Sequence, residues 1–132
     1  MKLNIRRIHH AAIICSDYAR SKHFYTEVLD LPVLQENYRV ERDSYKLDLA
    51  VGEHGQVELF SFPNPPVRVT GPEACGLRHL AFAVEDLDAQ VQLLKARGVE
   101  MQEIRVDEYT GKRFVFFFDP DGLPLELYEQ DE

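Results

Sequence analysis

The sequence predicts an α+β protein made of two tandem βαβββ modules. Three observations carry that expectation. A histidine opening an apolar strand, followed by an aspartate and a helical pattern, occurs twice, as His10-Ala-Ala-Ile-Ile-Cys-Ser-Asp17 and His79-Leu-Ala-Phe-Ala-Val-Glu-Asp86. A glutamate inside an apolar strand closes each half, in Val57-Glu58-Leu59-Phe60 and Leu125-Glu126-Leu127-Tyr128. Between the halves, residues 63–76 hold Pro63, Pro65, Pro66, Pro72, Gly71 and Gly76, the composition of a linker. The chain thus reads as one domain over residues 5–130, with module 1 at about 5–62, the linker at 63–76 and module 2 at about 77–130.

In chain order, residues 6–15 read as a strand, and Ser16 or Asp17 is placed to cap the next helix by accepting from its unpaired N–H groups. Tyr18, Tyr25 and Leu29 mark one helical face. Strands follow around 45–51 and 56–62, joined by the turn Gly52-Glu53-His54-Gly55. In the second half, 78–84 reads as a strand and Asp86 as a cap. Leu87, Val91 and Leu94 form the buried stripe, and Gly98 follows the helix end. Residues 114–118 and 124–128 are closing strands around Asp119-Pro120-Asp121-Gly122, a type I turn by its Pro and Gly positions.

Composition bounds the function. With 132 residues, 45% hydrophobic and 29% charged, the chain is long and apolar enough to build a core without staples, which excludes disordered, collagen-like and disulfide-framework classes. A net charge of −8 repels a phosphate backbone, so no nucleic-acid partner is expected, whereas a small anion can still be held by local Arg or Lys. No apolar run has bilayer length, and MKLNIRRIHH lacks the apolar stretch of a secretory leader, so no membrane partner is expected. Cys15 and Cys75 show no pairing pattern, and a cytoplasmic location is expected.

The repeat bears on chemistry. His10 and Glu58 are 48 residues apart, and His79 and Glu126 are 47. Strand alternation puts His10 on the face of Ala12 and Ile14, and His79 on that of Ala81 and Ala83. Glu58 shares a face with Phe60 and Glu126 with Tyr128, which leaves the leucines for the core. A carboxylate in mid-strand among apolar neighbours is costly unless it is paired or bound to a cation. An isolated strand histidine is ordinarily structural, but duplicated modules place equivalent side chains about a pseudo-two-fold axis. His10, Glu58, His79 and Glu126 therefore form the expected ligand set for one divalent metal. Zn2+, Ni2+, Co2+, Mn2+ and Fe2+ all suit such N/O ligands, and the set does not choose among them. His9 falls out of phase and should face the other way. His23 and His54 fall on a helix and a turn and should be exposed.

At these residues the chain resembles the vicinal oxygen chelate superfamily, and within it glyoxalase I (lactoylglutathione lyase) and small bacterial glyoxalase-like proteins of the YaeR type. Phe24-Tyr25, Gly76-Leu77-Arg78-His79 and the turn at Asp119 extend the likeness across residues 6–130. The resemblance implies paired βαβββ modules curved into a mixed-sheet cleft around the metal, and a homodimer. It also implies a lyase or isomerase reaction in which a metal-site glutamate, Glu126 before Glu58, moves a proton while an enediolate is stabilised. Of the family's glutathione contacts, this chain matches Lys112 alone and has Ile14, Phe62 and Cys75 at the other three. The substrate handle is therefore expected to differ from glutathione, with a small anionic substrate met by Arg113, Arg42, Lys46 and Lys112 and by the rings of Phe60, Phe62 and Tyr128. An extradiol-type dioxygenase, a thiol transferase, an epimerase and a metal-free drug-sequestering protein are the competing readings within the same superfamily.

Overall fold

A computed structural model describes residues 1–131 and divides the chain into two compact units, Met1–Pro66 and Val67–Glu132. In the first unit, β1 (Ala11–Cys15) leads through α1 (Tyr18–His23) and a π-helical turn (Phe24–Val28) to β2 (Val33–Arg39), a 3-10 turn (Val40–Arg42), β3 (Ser44–Val51) and β4 (Gly55–Ser61). In the second, β5 (Leu80–Val84), α2 (Leu87–Ala96), β6 (Arg105–Val106), β7 (Arg113–Phe118) and β8 (Pro124–Glu129) repeat that order. The sheets run β1-β4-β3-β2 and β5-β8-β7-β6. In each, the first strand pairs in parallel with the last and the other pairs are antiparallel. The fold is α+β, twice βαβββ.

Local chemistry explains the helix boundaries. Asp17 caps α1 by accepting from the Arg20 N–H at 3.2 Å, and Asp86 caps α2 from Ala89 N–H at 3.1 Å. Leu87, Val91 and Leu94 are buried beneath α2, which packs on β8, and the sheet side of that core is Val115, Phe117 and Leu125. In the first unit Tyr25, Leu47, Leu49 and Leu59 are each 0% exposed. The predicted turn after β7 forms: Gly122 N–H donates to Asp119 O at 3.0 Å, and Asp119 Oδ1 accepts from the Asp121 and Leu123 N–H groups. Gly122 takes φ of +82°, a conformation that a side chain disfavours.

Three expectations are corrected. Both histidine-bearing strands begin one residue after the histidine, so residues 6–10 and 78–79 are not strand. The helix on which Tyr18, Tyr25 and Leu29 were to share a face becomes π-helical at Phe24, with Leu29 N–H donating to Phe24 O. β2 and β6 were not placed by sequence. β2 is mostly exposed and lacks two-residue alternation, and β6 is two residues long.

Candidate metal centre

The two sheets present their acidic residues in the same register. Ala12 of β1 faces Glu58 of β4, and Ala81 of β5 faces Glu126 of β8. His10 and His79 each lie two residues before that alanine, immediately ahead of the strands. His10 Nδ1 is 3.4 Å from Glu58 Oε2, and His79 Nε2 is 3.1 Å from Glu126 Oε1. Glu58 and Glu126 are 8% and 7% exposed, each between two buried apolar residues of its strand. The structure thus brings each predicted histidine to its predicted glutamate. Two donors bound to one ion at about 2.1 Å stand about 3.0–3.4 Å apart, so each pair has the spacing of adjacent ligands. The donor set of imidazole nitrogens and carboxylate oxygens suits a first-row divalent cation. Among the described residues no group of three or more His, Cys, Asp or Glu forms a ligand cluster.

The neighbours of the two pairs differ. Across from Glu58 stands Asp48, and across from Phe60 stands Lys46. Lys46 Nζ is 2.7 Å from Asp48 and 3.7 Å from Glu58, and the Asp48 hydrogen bond holds the ammonium above its ordinary pKa. In the second unit Phe116 stands across from Glu126, and Phe114 across from Tyr128. The His79 ring meets Phe116 edge-on at 5.0 Å, and Tyr128 stacks on Phe114 at 6.4 Å. A guanidinium can only donate, so Arg78 Nη1, 3.1 Å from His79 Nδ1, makes that nitrogen the acceptor and turns an Nε2–H toward Glu126. His9 does not face away. Its Nδ1 lies 3.0 Å from that of His10, because no strand parity governs residues 1–10. His23 and His54 are exposed.

The predicted substrate contacts separate. Lys46 and Phe60 lie on the Glu58 face, where Phe60 stacks on Phe62 at 6.3 Å. Tyr128 lies on the Glu126 face and donates to Asp107 at 3.0 Å, which, after the Tyr109 N–H, helps to keep that carboxyl below its usual range. Lys112 precedes β7 and reaches Asp131 at 3.5 Å. Arg42 is exposed in the 3-10 turn, at the Ser44 end of β3. Arg113 is corrected. Its parity is that of Val115 and Phe117, so it points to the helix side, where it holds Asp88 of α2 at 2.9 Å and Glu129 at 2.9 Å. Both carboxyls are held below their usual range by that guanidinium. Sequence reasoning missed Asp48, Arg39, Arg105, Phe114 and Phe116. Arg39 lies over Phe60 and Phe62 at 4.9 and 5.7 Å, and Arg105 over Phe114 and Phe116 at 5.1 and 5.6 Å. The two phenylalanines were within reach, since the Asp119 turn fixes which β7 residues share the face of Glu126.

These two sheets, each with a His–Glu pair at one register, define a duplicated α+β domain of the glyoxalase class. Residues 7–127 match the family model "Glyoxalase/Bleomycin resistance protein/Dioxygenase superfamily", and the chain belongs to that family. It is 62% identical to the uncharacterized protein YwkD of Bacillus subtilis (strain 168), over 96% of this chain and 98% of that one. It is 58% identical to the uncharacterized protein YaeR of Escherichia coli (strain K12), over 97% and 99%. The crystal structure of SMU.1112c superposes with a TM-score of 0.92 at 49% identity, over 96% of this chain and 100% of that one. More distant relatives are enzymes by name. They include a 2-epi-5-epi-valiolone epimerase of Actinomyces sp (30% identical, over 91% of this chain and 77% of that one). The metallothiol transferase FosB of Staphylococcus saprophyticus is 27% identical, over 94% and 77%, and a probable lactoylglutathione lyase of Vibrio parahaemolyticus 24%, over 96% and 92%. Among the described residues no helix is long and apolar enough to cross a membrane.

Proposed function

We propose that the pairs His10–Glu58 and His79–Glu126 are metal ligands, with Zn2+ or Ni2+ foremost, and that the chain is a lyase or isomerase of the lactoylglutathione lyase kind. The observation that supports this reading is the matched pair of buried glutamates, each within 3.4 Å of a histidine at an equivalent register. When bound, the cation supplies Lewis acidity to oxygens on adjacent substrate carbons and so acidifies the C–H on the carbon next to the polarised carbonyl. Glu126 takes that proton at a carboxylate oxygen and Glu58 is the alternative base. Both carboxylates are sheltered from water, which favours proton transfer to carbon over exchange with solvent. Phe116 and Tyr128 wall the Glu126 side, and Lys46 sets a positive charge beside Glu58. The lyase and epimerase names among the relatives agree with proton traffic at carbon. Ile14, Phe62 and Cys75 at three glutathione-contact positions favour an adduct of a different thiol, or none.

The deciding measurement is metal content after supplementation, followed by loss of hemithioacetal absorbance with a panel of low-molecular-weight thiols. Stoichiometric metal with metal-dependent turnover is expected. Metal present only in trace, with binding of organic ligands, replaces this reading by sequestration, and oxygen uptake with a catechol replaces it by a dioxygenase. The reading includes a homodimer, checked by light scattering, and a cytoplasmic location, with which the lack of a Cys15–Cys75 disulfide among the described residues agrees.

A further inference from the structure

We propose that the second unit carries an anion-recognition site centred on Arg105, and that the substrate is an organic oxyanion with an apolar body. The word substrate rests on the function proposed above; the anion site itself does not. A cavity of about 500 Å³ is lined by residues of this unit, among them Leu77, Gln102, Arg105, Phe116, Phe118 and Pro124. That volume suits a small ligand. Phe116 and Phe118 alternate with the buried Val115 and Phe117, so they stand on the Glu126 face of the sheet. Leu80 pairs with Leu125, which places His79 at the Pro124 end of that face. Phe116 therefore joins the cavity to His79, whose ring meets it edge-on at 5.0 Å.

Charge fixes the class of molecule. The lining carries the guanidiniums of Arg68, Arg78 and Arg105 against the single carboxylate of Glu73, in a chain whose net charge is −8. Local sign is opposite to global sign, the pattern that draws an anion to one place. Two of the three guanidiniums are engaged. Arg68 donates to the Leu77 and Arg78 carbonyls and to Thr70, and Arg78 binds Glu73 at 2.6 Å. Arg105 is held by the faces of Phe114 and Phe116 and, among the described residues, has no carboxylate partner. Ring stacking fixes its plane and leaves its N–H groups for a bidentate acceptor, a carboxylate or phosphoryl group. Leu77, Phe116, Phe118 and Pro124 supply the apolar wall for the remainder of the ligand.

The test uses the full-length, metal-free protein and follows backbone amide NMR shifts on titration with benzoate, phenylphosphonate and neutral benzamide. We expect saturable shifts at Gly76, Leu77 and Gln102 with at least one anion and none with benzamide. Arg105→Gln should weaken anion binding at least tenfold and Arg105→Lys less, and neither should change the midpoint of a Zn2+ titration. The tighter of the two anions identifies the head group as carboxylate or phosphoryl. Unsaturable shifts with both anions, or equal affinity in Arg105→Gln, overturn the proposal. Anion binding without any Zn2+ binding sinks the metal reading and leaves the anion site standing.

Discussion

Glu58 and Glu126 occupy positions that a folding criterion alone would fill with leucine or methionine. Burying a carboxylate with one imidazole for company costs stability, and Glu126 has no ammonium or guanidinium partner among the described residues. Glu126→Met should therefore raise the melting temperature of the metal-free protein, by about 1 kcal/mol of stability, while abolishing any stabilisation by Zn2+; calorimetry with and without the ion checks both parts. Glu126→Gln, which keeps the shape, should lower kcat by about 10²–10⁴-fold if this residue carries the proton. The strand pattern and the recurrence made this pair of positions legible. The role of Arg113 was not legible, because its partners Asp88 and Glu129 lie 25 and 16 residues away. Those carboxyls titrate lower folded than unfolded, so their contribution is complete above about pH 4–5 and lost as the pH falls through their depressed values. Arg113→Gln should lower stability at pH 7 and flatten its decline on acidification, read from urea midpoints across pH 2–7.

Elements with a chemical signature at their ends were read correctly, and those without one were missed. Asp17 and Asp86 announce α1 and α2 as N-caps, and Asp86→Ala should cost about 1 kcal/mol in urea denaturation. The turn between β3 and β4 was visible from Gly52 and Gly55, but the reason for the second glycine lies in three dimensions. A Cβ at Gly55 would stand 2.8 Å from the Val51 carbonyl oxygen. Gly55→Ala should lower stability by about 1–3 kcal/mol, because backbone must move. β2, reading VLQENYR, carries no alternation because its side chains are mostly exposed on both faces, and β6 is too short for any period to register.

For the whole molecule, metal binding would have a thermodynamic signature. A ligand that binds the folded chain alone stabilises it by mass action, about 2.7 kcal/mol at a hundredfold excess over Kd, or roughly 10 °C at this size. Zn2+ or Ni2+ should produce such a shift in wild type. His10→Ala and His79→Ala should each reduce it, because each removes one imidazole ligand of its His–Glu pair. The duplication was legible because His and Glu recur at fixed spacing. The identity of the neighbours was not, since cross-strand pairing decides that Asp48 faces one glutamate and Phe116 the other.

That contrast has a consequence for redesign. Register fixes the acidic residues on the last strand of each sheet, whatever side chains the adjacent strand presents to them. Exchanging Lys46 and Asp48 for other side chains, or Phe114 and Phe116 likewise, changes the surroundings of the two glutamates while leaving His10, Glu58, His79 and Glu126 in place.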